Sequence, residues 1–63
     1  MGFHYDDLLT NDEVAALLRV SPMTIRDHRK KGTGPRALKV GGAVRYSRRD
    51  VEQWIAQQNG IAG

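Results

Sequence analysis

Two helix-starting signals lie only eleven residues apart in this chain, and they constrain its fold more than any other feature of the sequence. The first, TNDE at residues 10–13, fits the reciprocal cap in which the Thr and Glu side chains bond each other's backbone amides. The second is Ser21 followed by Pro22, a preferred cap before the residue best suited to the first helical position. We predict helices over about residues 11–18 and 22–31. The short link of about two residues between them forces a steep crossing.

The apolar spacing in both helices indicates which side of each faces a core. Val14, Leu17 and Leu18 recur at helical intervals in the first helix, and Ile25 is the clearest core position of the second. His28 lies one turn after Ile25, so we interpret it as a packed or hydrogen-bonded residue, not as a ligand or a catalyst. Two short helices joined this tightly form a helix-turn-helix.

The cations of the chain are concentrated in its middle. All ten Lys and Arg lie between Arg19 and Arg49, and Asp27 is the only acid among them, so this segment carries +9 while the whole chain carries +3. One-sided clustering of this kind is the electrostatic footprint of a nucleic-acid-binding surface. The alternatives are a solvated basic surface and a site for an acidic membrane surface. The membrane alternative fits less well, because the cations are spread over helix, loop and hairpin.

The second helix carries the side chains that we expect to read DNA in its major groove. Arg26 can bond a guanine edge bidentately, and Thr24 or Met23 can touch a thymine methyl group. The cations of the last turn are expected to meet phosphates. Asp27 either accepts from a cytosine amine or, more commonly, orients Arg26 or Lys31. The predicted contacts on this helix are Ser21, Pro22, Met23, Thr24, Arg26, Asp27, Arg29, Lys30 and Lys31.

A β-hairpin is predicted after this helix, because alternating apolar residues flank a Gly-Gly pair. A two-residue loop at residues 41–42 would set Lys39 opposite Val44 and mix apolar with charged side chains on each face. A three-residue loop at residues 41–43 would collect the apolar side chains of both strands on one buried face, with Lys39 beside Arg45 on the other. Since a buried face specifies the register strongly, we predict the three-residue loop or an equivalent bulge.

Ser47 is predicted to cap a third helix, on which Val51 and Trp54 share a face. Trp54 has the largest apolar side chain, and we expect it to cover the hairpin or the first helix. Arg48 and Arg49 lie at the start of this helix, where cations oppose the helix dipole, so we assign them to a DNA backbone. The predicted contacts of the hairpin and its flanks are Arg19, Arg36, Lys39, Gly41, Gly42, Arg45, Arg48 and Arg49.

Size and composition restrict the class of protein. Sixty-three residues make one domain, which we divide into an arm at residues 1–8, a DNA-binding domain at 9–60 and a tail at 61–63. There is no cysteine, no metal-ligand spacing and no paired catalytic constellation, so we expect no enzyme, no metal and no cofactor. No apolar run approaches the ~20 residues of a membrane span and no signal-peptide pattern opens the chain, which predicts a cytoplasmic location.

Four motifs lie within residues 9 to about 58, a range that covers most of the chain: E-V-A-x-x-L-x-V-S at residues 13–21, T-I at 24–25, G-G-x-x-R-Y at 41–46 and R-x-D-V-x-x-W at 48–54. Taken jointly, they resemble those of the branch of the MerR-like winged helix-turn-helix superfamily that contains excisionases, also called recombination directionality factors, and AlpA-type regulators. Two positions depart from the family's usual pattern. Arg19 stands where Gly is usual, and His28 stands where Trp or Tyr is common.

The resemblance implies a small α+β fold, a winged helix-turn-helix with a two-stranded hairpin wing and a C-terminal helix. It implies a DNA-bending accessory protein that binds adjacent sites cooperatively and directs a phage or plasmid integrase toward excision. The expected partners are double-stranded DNA, an integrase and further copies of the chain, and the expected location is the nucleoid in the host cytoplasm. A small AlpA-type transcriptional regulator is the alternative. Longer MerR regulators carry an effector domain after the DNA-binding part, whereas the sequence here ends at Gly63. We therefore expect no small-molecule effector.

Overall fold

The structure, a computed structural model, describes residues 8–58, so the predicted tail and all but the last residue of the predicted arm lie outside the described residues. Its elements are β1 (Leu8–Leu9), α1 (Asn11–Leu18), α2 (Pro22–Lys31), β2 (Leu38–Val40), β3 (Ala43–Ser47) and α3 (Arg48–Gln57). The three strands form an antiparallel sheet in the order β1, β3, β2. A helix-turn-helix, a hairpin wing and a third helix follow one another, which confirms the predicted winged helix-turn-helix.

Both helices of the helix-turn-helix begin at the predicted caps. Thr10 Oγ1 accepts from the Glu13 amide at 3.0 Å, and the Thr10 amide donates to Glu13 Oε1 at 2.9 Å. Ser21 Oγ accepts from the Thr24 amide at 3.2 Å, with Pro22 as the first helical residue. A cap of this kind stabilises a helix by about 1 kcal/mol. Local hydrogen bonds therefore define where α1 and α2 start.

The end of α1 is a tight reversal of the chain. The Arg19 amide donates to Ala16 O at 3.2 Å, and the Val20 amide donates to Ala15 O at 3.0 Å. These are the two bonds of a Schellman motif, which needs a left-handed residue after the helix. Arg19 supplies it with φ 59° and ψ 42°. After this reversal only three residues separate the end of α1 from the start of α2, as the predicted short link requires.

Six buried side chains form the core of the described residues, and they come from every element except β2. They are Leu9, Val14, Ala15, Ile25, Tyr46 and Val51. Partly buried Leu18, Ala37 and Val44 pack against them. The prediction that Leu17 faces the core is wrong, since that side chain is 48% exposed. The small Ala15 occupies the inner side of α1 instead, where α1 packs against α2.

The sequence pattern does not predict the short strand β1. Leu8 pairs with Ser47 and Leu9 pairs with Tyr46, both in antiparallel register. This pairing makes β3 the central strand of the sheet. We define the wing as the hairpin of residues 38–47. The pairing of β1 with β3 connects the chain just before α1 directly to the base of this wing.

The loop of the wing has two residues, so the predicted three-residue loop is wrong. The observed pairs are Leu38 with Arg45, Lys39 with Val44, and Val40 with Ala43. Gly41 and Gly42 have φ of 58° and 90°. Positive φ at both central residues is the signature of the type I′ turn, whose twist matches that of the strands it joins. Glycine adopts these angles at no steric cost, so the Gly-Gly pair determines the register.

The correct register also separates two cations that we expected side by side. Cross-strand pairs share a face, so Lys39 lies on the face of Val44, and Arg45 lies on the opposite face with Leu38. The three-residue prediction assumed that one face of the hairpin is buried along its whole length. Val40 is 46% exposed, because the wing extends beyond the core and leaves its outer part without a buried face.

Trp54 covers the end of α2. The prediction that its side chain covers the hairpin or α1 is wrong. Its Nε1 donates to Thr33 O at 2.9 Å, and its ring meets the His28 ring edge-on with centroids 5.6 Å apart. His28 is half-buried and its Nδ1 is hydrogen-bonded to Thr33 Oγ1 at 2.8 Å, which confirms the predicted packed and hydrogen-bonded histidine. The following loop approaches closely as well, since a Cβ on Gly34 would lie 2.9 Å from His28 Cβ.

Candidate nucleic-acid interface

The second helix, α2, turns most of its surface outward. Ile25 is its one fully buried residue, and the helical period places Met23, Asp27 and Lys30 on the opposite side. All three are exposed, Met23 to 60%. Of the nine predicted DNA contacts on this helix, eight are exposed and only Arg29 is half-buried. We call α2 the recognition helix from here on.

The first turn of the recognition helix combines hydroxyl groups with a positive helix end. Ser21 Oγ and Thr24 Oγ1 are hydrogen-bonded to each other at 3.1 Å, and both residues are exposed. This turn contains no acidic residue, so nothing in it offsets the positive end of the helix dipole. Backbone amides and a positive dipole end favour an approaching phosphate. The first turn is therefore suited to the DNA backbone or to the edge of a groove.

The last turn of the recognition helix divides its cations between two directions. Lys30 and Lys31 are exposed, as a phosphate contact requires. Arg29 instead points toward the sheet, where its Nη1 donates to Tyr46 Oη at 3.2 Å and lies 3.5 Å from Asn11 Oδ1. The phosphate contact of Arg29 stays a prediction, while its contacts inside the domain are part of the fold.

The tip of the wing presents backbone and its sides present cations. Gly41 and Gly42 are exposed, and a Cβ added to either would meet nothing within 4 Å. A tip without side chains can enter a narrow groove. Lys39 is exposed on one face, and Arg45 is half-buried on the other, where its Nη1 donates to Val44 O at 2.7 Å. The wing therefore has two cations on different faces: the exposed Lys39, and Arg45, which is hydrogen-bonded to the backbone.

The flanking cations, Arg19, Arg36, Arg48 and Arg49, are all exposed. Arg36 is exposed and lines a concavity with residues of α3. Arg48 lines a different concavity, together with Glu13 of α1. Arg19 and Arg49 are exposed at the end of α1 and the start of α3. The predicted DNA contacts of these four cations therefore stay predictions, and exposed side chains are consistent with them.

The described residues hold no candidate metal centre. Within residues 8–58, no three His, Cys, Asp or Glu side chains stand close enough together to bind a metal ion. In the same range, no helix has the length and apolar character to cross a membrane.

Sequence reasoning missed the inward contacts of the recognition helix, although two signals were present. Arg29 follows Ile25 by four residues, which places both on the same side of a helix. Tyr46 alternates with Val44 toward the core, and a buried phenol needs a hydrogen-bond partner. Asn11, directly after the Thr10 cap, gives no comparable signal.

A comparison with protein families agrees with this geometry. The model of the helix-turn-helix domain family matches residues 8–59, more than four fifths of the chain. The winged fold and the exposed basic helix define a DNA-binding domain of a typically non-enzymatic kind. The chain belongs to the helix-turn-helix domain family. It matches none of the curated proteins with which it was compared.

Proposed function

We propose that this chain is a sequence-specific, DNA-bending accessory protein that binds adjacent sites cooperatively and directs a phage or plasmid integrase toward excision. The observation that carries the DNA-binding part is the exposed surface of the recognition helix, where eight of the nine predicted contacts are exposed and Ile25 alone is fully buried. The four sequence motifs support the excisionase role. The integrase supplies the strand chemistry, so this chain needs no catalytic group.

The recognition helix and the wing have different tasks in this proposal. Arg26 and Met23 read base edges in the major groove, while Lys30 and Lys31 contact the flanking phosphates. The glycine tip of the wing and Lys39 lie along the adjacent minor groove or its backbone. Contacts in two neighbouring grooves offset the cost of curving the DNA, which is of order 1–6 kcal/mol for a bend of 40–90°.

The proposal predicts a strong dependence on salt. If about five cations each neutralise one phosphate, the logarithm of the binding constant falls with a slope of about −4.5 against the logarithm of the salt concentration. Raising the salt from about 50 to about 200 mM would then weaken binding roughly 500-fold. Fluorescence anisotropy on a labelled duplex at four salt concentrations measures this slope. A slope near zero would contradict DNA binding through this surface.

Footprinting on the DNA that flanks the gene tests the arrangement of sites. We expect two or more adjacent sites of the same orientation to become protected over one narrow range of protein concentration, as cooperative binding requires. Arg26→Ala should shift protection to a higher protein concentration by roughly 5- to 150-fold, the equivalent of about 1–3 kcal/mol. Gln57→Ala, a neutral change at an exposed position of α3, should leave the pattern unchanged.

An integrase reaction tests the excisionase role itself. An integrase from the same source is incubated with attL and attR substrates, with and without the chain, and excised product is measured. We expect product to increase with the chain present and to return to the basal level with Arg26→Ala. Protection of a single operator at a promoter, with no effect on excision, would assign the chain to AlpA-type transcriptional regulation.

A further inference from the structure

The cations of the recognition helix belong to two groups with different surroundings. Arg26, Lys30 and Lys31 are exposed, but Arg29 is half-buried at the junction of three elements. Its position four residues after Ile25 turns it toward the core side of the helix. A cation placed there loses part of its hydration, so it requires hydrogen-bond partners inside the domain.

Those partners come from α1 and β3. Arg29 Nη1 donates to Tyr46 Oη at 3.2 Å. Asn11 Oδ1 lies 3.5 Å from Arg29 Nη1 and 3.5 Å from Tyr46 Oη, at the outer limit of hydrogen bonding. The firmer contact of Asn11 is on its other side, where Nδ2 donates to Pro22 O at 3.1 Å. We call Asn11, Arg29 and Tyr46 the junction network.

Tyr46 gives this network its connection to the wing. Its side chain is fully buried, with 0% exposure, so it cannot touch DNA. Its backbone lies in the central strand and pairs with Leu9 of β1. Tyr46 also belongs to the wing itself, because β3 (Ala43–Ser47) is the second strand of the wing. A single residue therefore joins the recognition helix, the start of α1 and the base of the wing.

We infer that Arg29 is a positioning residue: through Tyr46 and Asn11, the junction network sets the angle between the recognition helix and the wing, so Arg29 supports sequence reading by geometry and not by charge. This inference rests on the proposed function, since the angle matters only if helix and wing bind the same DNA. Hydrogen bonds suit this role because their strength depends on direction, whereas apolar packing at one side chain tolerates rotation.

The test compares a specific duplex, taken from the footprinted site, with a scrambled duplex of the same length. Tyr46→Phe removes one hydroxyl from a buried position and leaves the charge unchanged. Arg29→Lys keeps the charge but removes the planar guanidinium. We expect each to weaken binding to the specific duplex about tenfold, within the range of couplings in one network, and to change binding to the scrambled duplex less than about twofold.

Two further readouts separate positioning from a phosphate contact. The slope of binding against salt should stay that of the wild type in Tyr46→Phe and Arg29→Lys, because no phosphate contact is lost. The double variant should bind the specific duplex no more weakly than the weaker single variant, since both changes break the same contact. Arg29→Gln, which removes the charge, should also keep the wild-type slope.

A core variant controls for general loss of stability. Val51→Ala removes buried volume on α3 and none of the hydrogen-bonding groups of the junction network, so it should lower the melting temperature while keeping the ratio of specific to scrambled binding. Binding is measured below the melting transition of every variant. If Tyr46→Phe does not fold, Asn11→Ala takes its place, with an expected effect in the same direction.

Several outcomes would overturn the inference. Specific binding within twofold of the wild type in both Tyr46→Phe and Arg29→Lys would show that the network does not set the angle. Equal weakening on both duplexes in Arg29→Gln, with a salt slope smaller by about 0.9 and recovery in Arg29→Lys, would make Arg29 a phosphate contact. A wild-type chain that does not distinguish the two duplexes overturns the proposed function first, and this inference with it.

Discussion

Replacing Arg19 by Gly is expected to stabilise the domain. Arg19 closes α1 in the left-handed region, with φ 59° and ψ 42°. That conformation costs a residue with a Cβ about 1–2 kcal/mol. Gly avoids this cost but loses about 0.5–1 kcal/mol more backbone entropy on ordering. The mid-range values of these two terms predict a net gain of about 0.75 kcal/mol, or about 3–6 °C in melting temperature for a domain of this size.

Arg19→Ala is the matched control for this prediction. It removes the same cation and the same long side chain but keeps the Cβ, so it should lack the gain in stability. Urea unfolding of the three proteins can be followed through Trp54, the only Trp in the chain. A Gly variant no more stable than the Ala variant, at equal slope of free energy against urea, would refute the claim of strain at this position.

The same pair of variants separates stability from affinity. Arg19 is also a predicted contact to the DNA backbone, and both substitutions remove its charge. If that contact exists, both should weaken binding on every sequence and lower the salt slope by about 0.9. The Gly variant would then be the more stable protein and bind DNA as weakly as the Ala variant. Affinity equal to that of the wild type in both would place Arg19 outside the interface.

Three further predictions concern the recognition helix, the wing and the loop between them. Arg26→Ala should cost about 1–3 kcal/mol on the specific duplex and relax base preference; an equal loss on random DNA, by anisotropy, would make it a phosphate contact. Lys39→Ala should weaken binding on all sequences and lower the salt slope by about 0.9, and an unchanged slope would remove the wing from the interface. Gly34→Ala should destabilise the domain by about 1–3 kcal/mol, because its Cβ would lie 2.9 Å from His28 Cβ. An unchanged urea midpoint would contradict that close approach.

The helices could be predicted from the sequence because their ends depend on local chemistry. The caps at Thr10 and Ser21 act within three residues, and each is observed as a hydrogen bond. The end of α2 at Gly32 is equally local. With both ends and the period known, the outward face of the recognition helix follows. This is why eight of its nine predicted contacts are exposed.

The register of the wing could not be predicted from apolar spacing. The rule that apolar residues share a buried face holds at Tyr46, at the base of the wing, but fails at Val40, which is 46% exposed. Beyond the core, the turn determines the register, and the Gly41-Gly42 pair favours a two-residue turn. The useful signal was therefore the dipeptide itself, and it outweighs the pattern of the strands.

Contacts between distant residues account for the other errors. The strand β1 has only two residues and forms by pairing its backbone with β3, so no pattern of its own identifies it. Arg29 and Tyr46 are 17 residues apart, and Trp54 and Thr33 are 21 apart. Helical period gives the direction of such a side chain but not the partner it meets, because the partner depends on how the elements pack.

A recognition helix that gives most of its surface to DNA has little apolar surface left to hold it. Ile25 is the one fully buried residue of α2, and burial of one such side chain contributes about 1.5–3 kcal/mol. A helix fastened by a wide apolar stripe would have to cover side chains that here face outward.

The remaining attachments of the helix are polar and directional: Asn11 Nδ2 to Pro22 O at one end, and Arg29 to Tyr46 toward the other. Because these bonds lie on both sides of Ile25 along the helix, they restrict rotation about that single anchor. Orientation of the helix thus depends on a few hydrogen bonds, and their loss should reduce discrimination between sequences more than it reduces affinity for DNA in general.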